Sequence, residues 1–264
     1  MVNPRETRCA ISSSRGLFNF CSRKAGDEKI IITKQIEVPD LKAARDGIVL
    51  EVMREQDPMD PREWDNLGTM VCWHSRYTLG DKQVTEQYEL DTILVDILTE
   101  SLELTDSQRS NVMEYADANL IMNAIRKHSG TVMLPLYLMD HSGLSMSTGS
   151  ERFRMADGAG WDWGQVGTIY ATEKRVKKEY SVEKVTDEIR EKVKAVLRAE
   201  VHAYDLYLKG ESYYFVVRDE KTDAIIDSCG GFMTDSTQEL KELLKDHTEN
   251  QYHSLIEGLE TCSY

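Results

Sequence analysis

The stretch from Thr131 to Tyr170 sets the terms for any fold this chain can adopt. It reads TVMLPLYLMD, then HSGLSMSTGSERFRMADGAG, then WDWGQVGTIY. Two apolar runs bracket a polar, Gly-rich, Trp-bearing loop. An aliphatic run of that length, containing Tyr and followed by turn residues, predicts a buried central strand. Its exit dipeptide, Asp140-His141, puts two potential proton carriers or metal ligands where a strand meets a loop. Loops on a rigid scaffold are where function concentrates.

The rest of the chain supplies neighbours for that strand. Strand-like runs lie at 30–38 (IIITKQIEV), 47–53 (GIVLEVM) and 68–74 (GTMVCWH). The last places Val71 and Trp73 on one face, Cys72 and His74 on the other. The connector at 57–68 is turn-rich, and its two prolines remove backbone donors. From residue 84 the pattern changes: Leu90, Leu94, Ile97, Leu98 and Leu102 recur at helical spacing. A second helix opens at the Thr105-x-x-Gln108 capping box, with Val112, Ala116, Leu120, Ile121 and Ile125 as its core face. Basic residues 126–128 and Gly130 close it. Downstream, Thr172 caps a short helix, and a longer one runs from Asp187 to Lys209 until Gly210 stops it. Residues 211–232 read as a hairpin, and Ser236-x-x-Glu239 opens a helical C-terminus.

These elements predict an α+β protein: a mixed, largely antiparallel sheet of about six or seven strands, an acidic helical hairpin inserted at 84–130, and a helical C-terminus. The organisation expected is a flexible basic arm over 1–28, an α+β domain over 29–232 and an acidic helical segment over 233–264.

Charge and cysteine usage narrow the function classes. The net charge is -14 over 264 residues. Direct nucleic-acid binding is disfavoured, because it needs Lys and Arg to displace phosphate counterions. A negative surface suits a basic partner, although acidity also serves solubility alone. Nine acids (Glu86, Glu89, Asp91, Asp96, Glu100, Glu103, Asp106, Glu114, Asp117) stand against Arg109 between Val84 and Ile125. More than half of the chain's excess therefore falls on one helical hairpin, and Glu86, Glu89, Asp91, Asp96, Glu100 and Glu103 are the expected partner-binding residues. The five cysteines (Cys9, Cys21, Cys72, Cys229, Cys262) are odd in number and never form a C-x-x-C pair. That argues against a disulfide framework or a zinc ribbon. No apolar run approaches the about 20 residues of a membrane span. With no secretory apolar region near the start, the expected location is the cytoplasm.

One constellation carries candidate chemistry. His74, Asp140, His141 and Asp162 each fall at or just beyond a strand end. If those strands are neighbours, two imidazoles and two carboxylates converge. That set suits a divalent transition metal, or a His general base oriented by a carboxylate. The alternative is that the carboxylates make turn hydrogen bonds and the histidines are satisfied locally. Cys72 and His74 share a strand face, where an imidazole can activate a thiol, but buried strand cysteines are ordinarily inert. The glycines of 158–167 precede a strand instead of linking strand to helix, so they do not form a dinucleotide cradle. Gly143-Leu144-Ser145-Met146-Ser147 lacks the second glycine of a nucleophile elbow.

Several segments carry a resemblance: PREWDNLGTMVCWHSRYTLGD, VMLPLYLMDHSGLSMST, WDWGQVGTIYATEKRVKKEY, KAVLRAEVHAYDLYLKGESYYFVV and IIDSCGGF. Over about 60–80 and 131–232 they resemble a family of uncharacterised proteins encoded by phages, prophages and plasmids. The D-H-S-G-L and W-D-x-G-Q-V-G runs are the most specific. The family usually has Ser where this chain has Trp163, often has Trp where it has Gly230, and usually lacks or shortens the hairpin at 84–130. The resemblance implies a mobile-element accessory protein. Such proteins are often defence antagonists, of anti-restriction or anti-CRISPR type, that bind a basic host protein without a cofactor. A metal-dependent enzyme acting on nucleic acid or a nucleotide, and a self-associating homo-oligomer with an assembly role, are the alternatives.

Overall fold

The computed structural model describes residues 40–262. The basic arm expected at 1–28 and the strand expected at 30–38 lie outside the described residues. In chain order the strands are β1 (Leu41–Arg45), β2 (Ile48–Arg54), β3 (Thr69–Cys72), β4 (Lys82–Gln83), β5 (Val132–Asp140), β6 (Leu144–Ser147), β7 (Trp163–Ala171), β8 (Ser212–Asp219), β9 (Ile225–Met233) and β10 (Glu260–Thr261). The helices are α1 (Gln87–Leu102), α2 (Asp106–Tyr115), α3 (Ala118–His128), α4 (Glu151–Ala156), α5 (Glu173–Tyr180), α6 (Asp187–Lys209), α7 (Thr237–His247) and α8 (His253–Glu257).

The chain is α+β, with two mostly antiparallel five-stranded sheets in place of the single sheet of six or seven strands expected. Each sheet belongs to one of two compact units, divided at residues 59/60 and 209/210. The first unit joins residues 40–59 to 210–262 and carries the order β10-β1-β2-β8-β9. β1 turns into β2 through Asp46 (φ 54°) and Gly47 (φ 80°), and an Asp-Gly pair supplies the left-handed backbone that a two-residue hairpin needs. The segment set apart as 233–264 is part of this unit's core: Leu240, Leu244, Tyr252, Leu255 and Ile256 pack with Leu50, Val52, Phe215 and Phe232. Linear reading draws one domain over 29–232 because it cannot register that the unit is assembled from both ends of the described chain.

The second unit, residues 60–209, carries the order β4-β3-β7-β5-β6. The run beginning at Thr131 forms β5, an interior strand, and β7 occupies the middle. All pairings in this sheet are antiparallel except β3 with the two-residue edge strand β4. Both faces are covered. Cys72, Leu136, Leu138 and Ile169 face a core shared with Val193, Leu197, Val201 and Tyr204 of α6. Val71, Met133 and Tyr170 face one shared with α1 and α3. Burial on both faces explains why β5 reads as a continuous apolar run without alternation. The expected loop between β5 and β7 is more structured than its composition suggests, since it contains β6 and α4.

Candidate functional site

The C-terminal ends of β3 and β5 and the N-terminal end of β7 meet at one end of the second sheet, and the four expected chemistry-bearing residues sit there. The Asp140 amide donates to the Asp162 carbonyl at 2.7 Å, which holds the two loop entrances together. His141 Nδ1 lies 2.8 Å from Asp162 Oδ2. Asp140 Oδ2 is bound by Arg76 and accepts Tyr77 Oη at 3.2 Å. The His74 ring stacks on Tyr77 with centroids 5.1 Å apart, and His74 Nδ1 accepts the Arg76 amide at 3.3 Å. The four residues therefore form two separate partnerships, His141 with Asp162, and Asp140 with Arg76 and Tyr77, while His74 joins the second through the Tyr77 ring and the Arg76 amide. Among the described residues no group of three or more His, Cys, Asp or Glu side chains is placed to hold a metal ion. The His141 side chain is 66% exposed, so its pair with Asp162 lies in water, where such pairs contribute little.

The loop that brings Asp162 to this position is wound around one carboxylate. Asp157 accepts the amides of Ala159, Trp161 and Asp162, and its backbone carbonyl accepts Trp163 Nε1. The Asp162 amide foremost, with those of Trp161 and Ala159, holds the Asp157 carboxyl below its ordinary range. Cys72 is fully buried, and burial with the nearby Asp81 charge pushes its thiol up to about 12. It therefore stays protonated at neutral pH, the inert state expected of a buried strand cysteine.

The second candidate is the acidic helical surface. Leu90, Leu94, Val95, Ile97 and Leu98 of α1, with Ile121, Met122 and Ile125 of α3, cover one face of the sheet. That packing turns the polar side of each helix outward. Of the nine acids, Glu86, Glu89, Asp96, Glu100, Glu103, Asp106, Glu114 and Asp117 are exposed and Asp91 is half-buried. Only Asp96 has a cationic partner among the described residues, Arg109 at 2.7 Å. Asp91 accepts Gln87 Nε2 at 2.8 Å. Glu89 accepts the Thr85 and Glu86 amides, which hold its carboxyl below its ordinary range. Tyr88 and Tyr115 stand 69% and 76% exposed among these acids in the sequence.

One expectation for this surface fails. The second arm of the hairpin is two helices, because the chain is extended at Ala116 and Asp117, and Asp117 starts α3 by accepting the Leu120 amide. The break resets the helical phase. Leu120, expected in the core, is 58% exposed, while Ile121 and Ile125 remain buried.

Sequence reasoning missed two buried polar clusters in this unit. Arg62, from the Pro-rich connector, binds Asp81 through two nitrogens and Glu200 through a third. Burial acts to lower its pKa, but Asp81 and Glu200 outweigh that and hold it above the ordinary value. Asp205 of α6 is buried beneath β6. Its only sequence signal is its spacing, four residues after Val201, which places a carboxylate on the apolar stripe. No family model, curated protein or solved structure matches the chain.

Proposed function

We propose that this chain acts by binding, as an acidic inhibitor carried by a mobile element. In this reading α1 and α2, with the cap residues from Glu86 to Asp117, cover a basic surface of a host defence or nucleic-acid-processing protein. The observation that carries it is the acid excess from Glu86 to Asp117: nine acids against Arg109, all but Asp91 exposed and only Asp96 ion-paired among the described residues, with Arg126 and Lys127 confined to the last turn of α3. A merely solvated helix face looks different in the same unit. On α6, Glu188 pairs with Lys192 at 2.6 Å and Glu191 with Lys194 at 2.7 Å, so the charges cancel locally. Uncompensated carboxylates repel one another and cost stability, and a positively lined partner relieves that cost while steering association. Exposed Tyr88 and Tyr115 supply the kind of aromatic anchor that carries most of the energy in protein interfaces.

The test is charge reversal. Glu100→Lys, Glu103→Lys and Glu114→Lys together should leave the circular dichroism spectrum intact. They should abolish protection of phage or plasmid from the restriction or CRISPR system that the wild-type chain antagonises. Retained protection, or a wild-type chain that antagonises no system and captures no basic protein, sinks the reading.

A further inference from the structure

Edge strand β4 and the first turns of α1 border an open groove of about 480 Å³, within the range of roughly 300–1,000 Å³ typical of ligand clefts. Gln83, Val84, Tyr88, Glu89, Thr92 and Ile93 line it, with Lys82. Val84 is 4% exposed and Ile93 half-buried, so the floor is apolar and continuous with the core under α1. Tyr88 lines the groove and is 69% exposed. Glu89 binds Thr85 and Glu86 through Oε2 alone, which leaves Oε1 to meet a donor.

A short apolar floor, an exposed phenol ring and a carboxylate at the rim form a combination that few ligands satisfy. An anion meets Glu89 on the wall, with Glu86 and Asp91 close by in the chain, three carboxylates that outnumber the single cation Lys82 of the lining. A purely apolar group leaves Glu89 unused. An arginine matches all three parts: its methylene stem lies on Val84 and Ile93, its guanidinium plane stacks on Tyr88, and an N–H reaches Glu89 Oε1. Lysine, a compact and strongly hydrated charge, reaches the carboxylate but gains less from the ring. We infer that the groove between β4 and α1 receives an arginine side chain presented by the basic partner. This rests on the binding role proposed above.

The experiment titrates hexa-arginine, hexalysine and hexaglutamate peptides into the full chain, followed by amide and methyl NMR. The expected result is movement of Gln83, Val84, Thr92 and Ile93, with hexa-arginine several-fold tighter than hexalysine and no binding of hexaglutamate. Tyr88→Ala and Glu89→Gln should each weaken hexa-arginine by about fivefold. Glu89→Gln keeps a residue that closes a capping box, so the start of α1 is preserved. Equal affinity for the arginine and lysine peptides overturns the inference. So do shifts confined to Glu100, Glu103 and Glu114, which would leave the acidic-surface reading standing. No cationic peptide binding anywhere at low salt would sink both.

Discussion

The carboxylate of Asp205 accepts the Met146 amide at 2.7 Å from a position only 1% exposed to solvent. Ser145 Oγ donates to the same oxygen at 2.8 Å, while Lys209 Nζ at 2.8 Å and Arg152 Nη2 at 3.2 Å reach the other. A charge buried this deeply persists only because each lone pair is occupied. The cluster ties the C-terminal turns of α6 to β6, next to the strand end that holds His141.

Asp205→Ala strands the Met146 amide and removes the counter-charge of two cations. Chemical denaturation should report a loss of about 3 kcal/mol, as for one partner removed from a buried pair. Asp205→Asn should recover part of it, since an amide oxygen still accepts from Met146 and Ser145. A loss below about 1 kcal/mol for the alanine variant would mean that the cluster is peripheral to stability.

The same residue gives the protein an acid limb. Burial acts to raise the Asp205 carboxyl, but the hydrogen bonds from Lys209, Ser145 and Met146, with the Arg152 charge, hold it below the ordinary carboxylate value. A depressed folded value means that the stabilisation is present above the unfolded value of about 3.9 and is lost as pH falls through the folded one. Thermal melts should show Asp205→Asn converging with wild type as pH drops below about 4. A constant gap down to pH 2 would contradict the assignment.

Gly167 of β7 is paired with Cys72 of β3. A Cβ there would sit 2.5 Å from the Val71 carbonyl oxygen and 3.0 Å from Cys72 Sγ, and a backbone oxygen cannot swing aside. Gly167→Ala should cost about 1–3 kcal/mol by overpacking. Gly164→Ala, in the same strand with nothing within 4 Å of the added carbon, is the control and should change stability by far less.

The Cys72 thiol, buried and pushed up to about 12, should resist alkylation in the native state at pH 8 and react at the rate of unfolding. Mass-spectrometric mapping of iodoacetamide labelling measures this. Fast labelling of Cys72 in folded protein would show that the β3–α6 core opens.

Asp117 decides the geometry of the acidic surface. Its side chain accepts the Leu120 amide at 2.8 Å and starts α3 just past the extended residues. Asp117→Ala should cost about 1 kcal/mol, and Asp117→Asn, an equally good cap, should cost little. If both variants lost the same amount, the charge and not the cap would be responsible.

Much of the helical framework was legible because helix ends are closed by hydrogen bonds within a few residues. Thr105 with Gln108, Thr172 and Ser236 start α2, α5 and α7 as the sequence predicts, and Gly210, with φ 69°, follows the last turn of α6. The Asp46-Gly47 hairpin is equally local, and it adds β1, a strand that the apolar pattern does not mark. His74, Asp140, His141 and Asp162 could each be placed at a strand end, yet nothing in their spacing distinguished one four-ligand site from two separate partnerships.

What the residue order alone determined is what short-range chemistry enforces: the caps, the apolar stripes of α1 and α6, the aliphatic run of β5 and the concentration of carboxylates between Val84 and Ile125. The tertiary structure decided which strands share a sheet, that the strands divide between two sheets, that Leu120 turns outward and that Asp205 turns inward. The reason is physical. A capping bond joins residues three apart, whereas strand pairing and the solvation of a buried charge depend on groups as far apart in the chain as Met146 and Asp205. Only the packed core brings those groups within hydrogen-bonding reach.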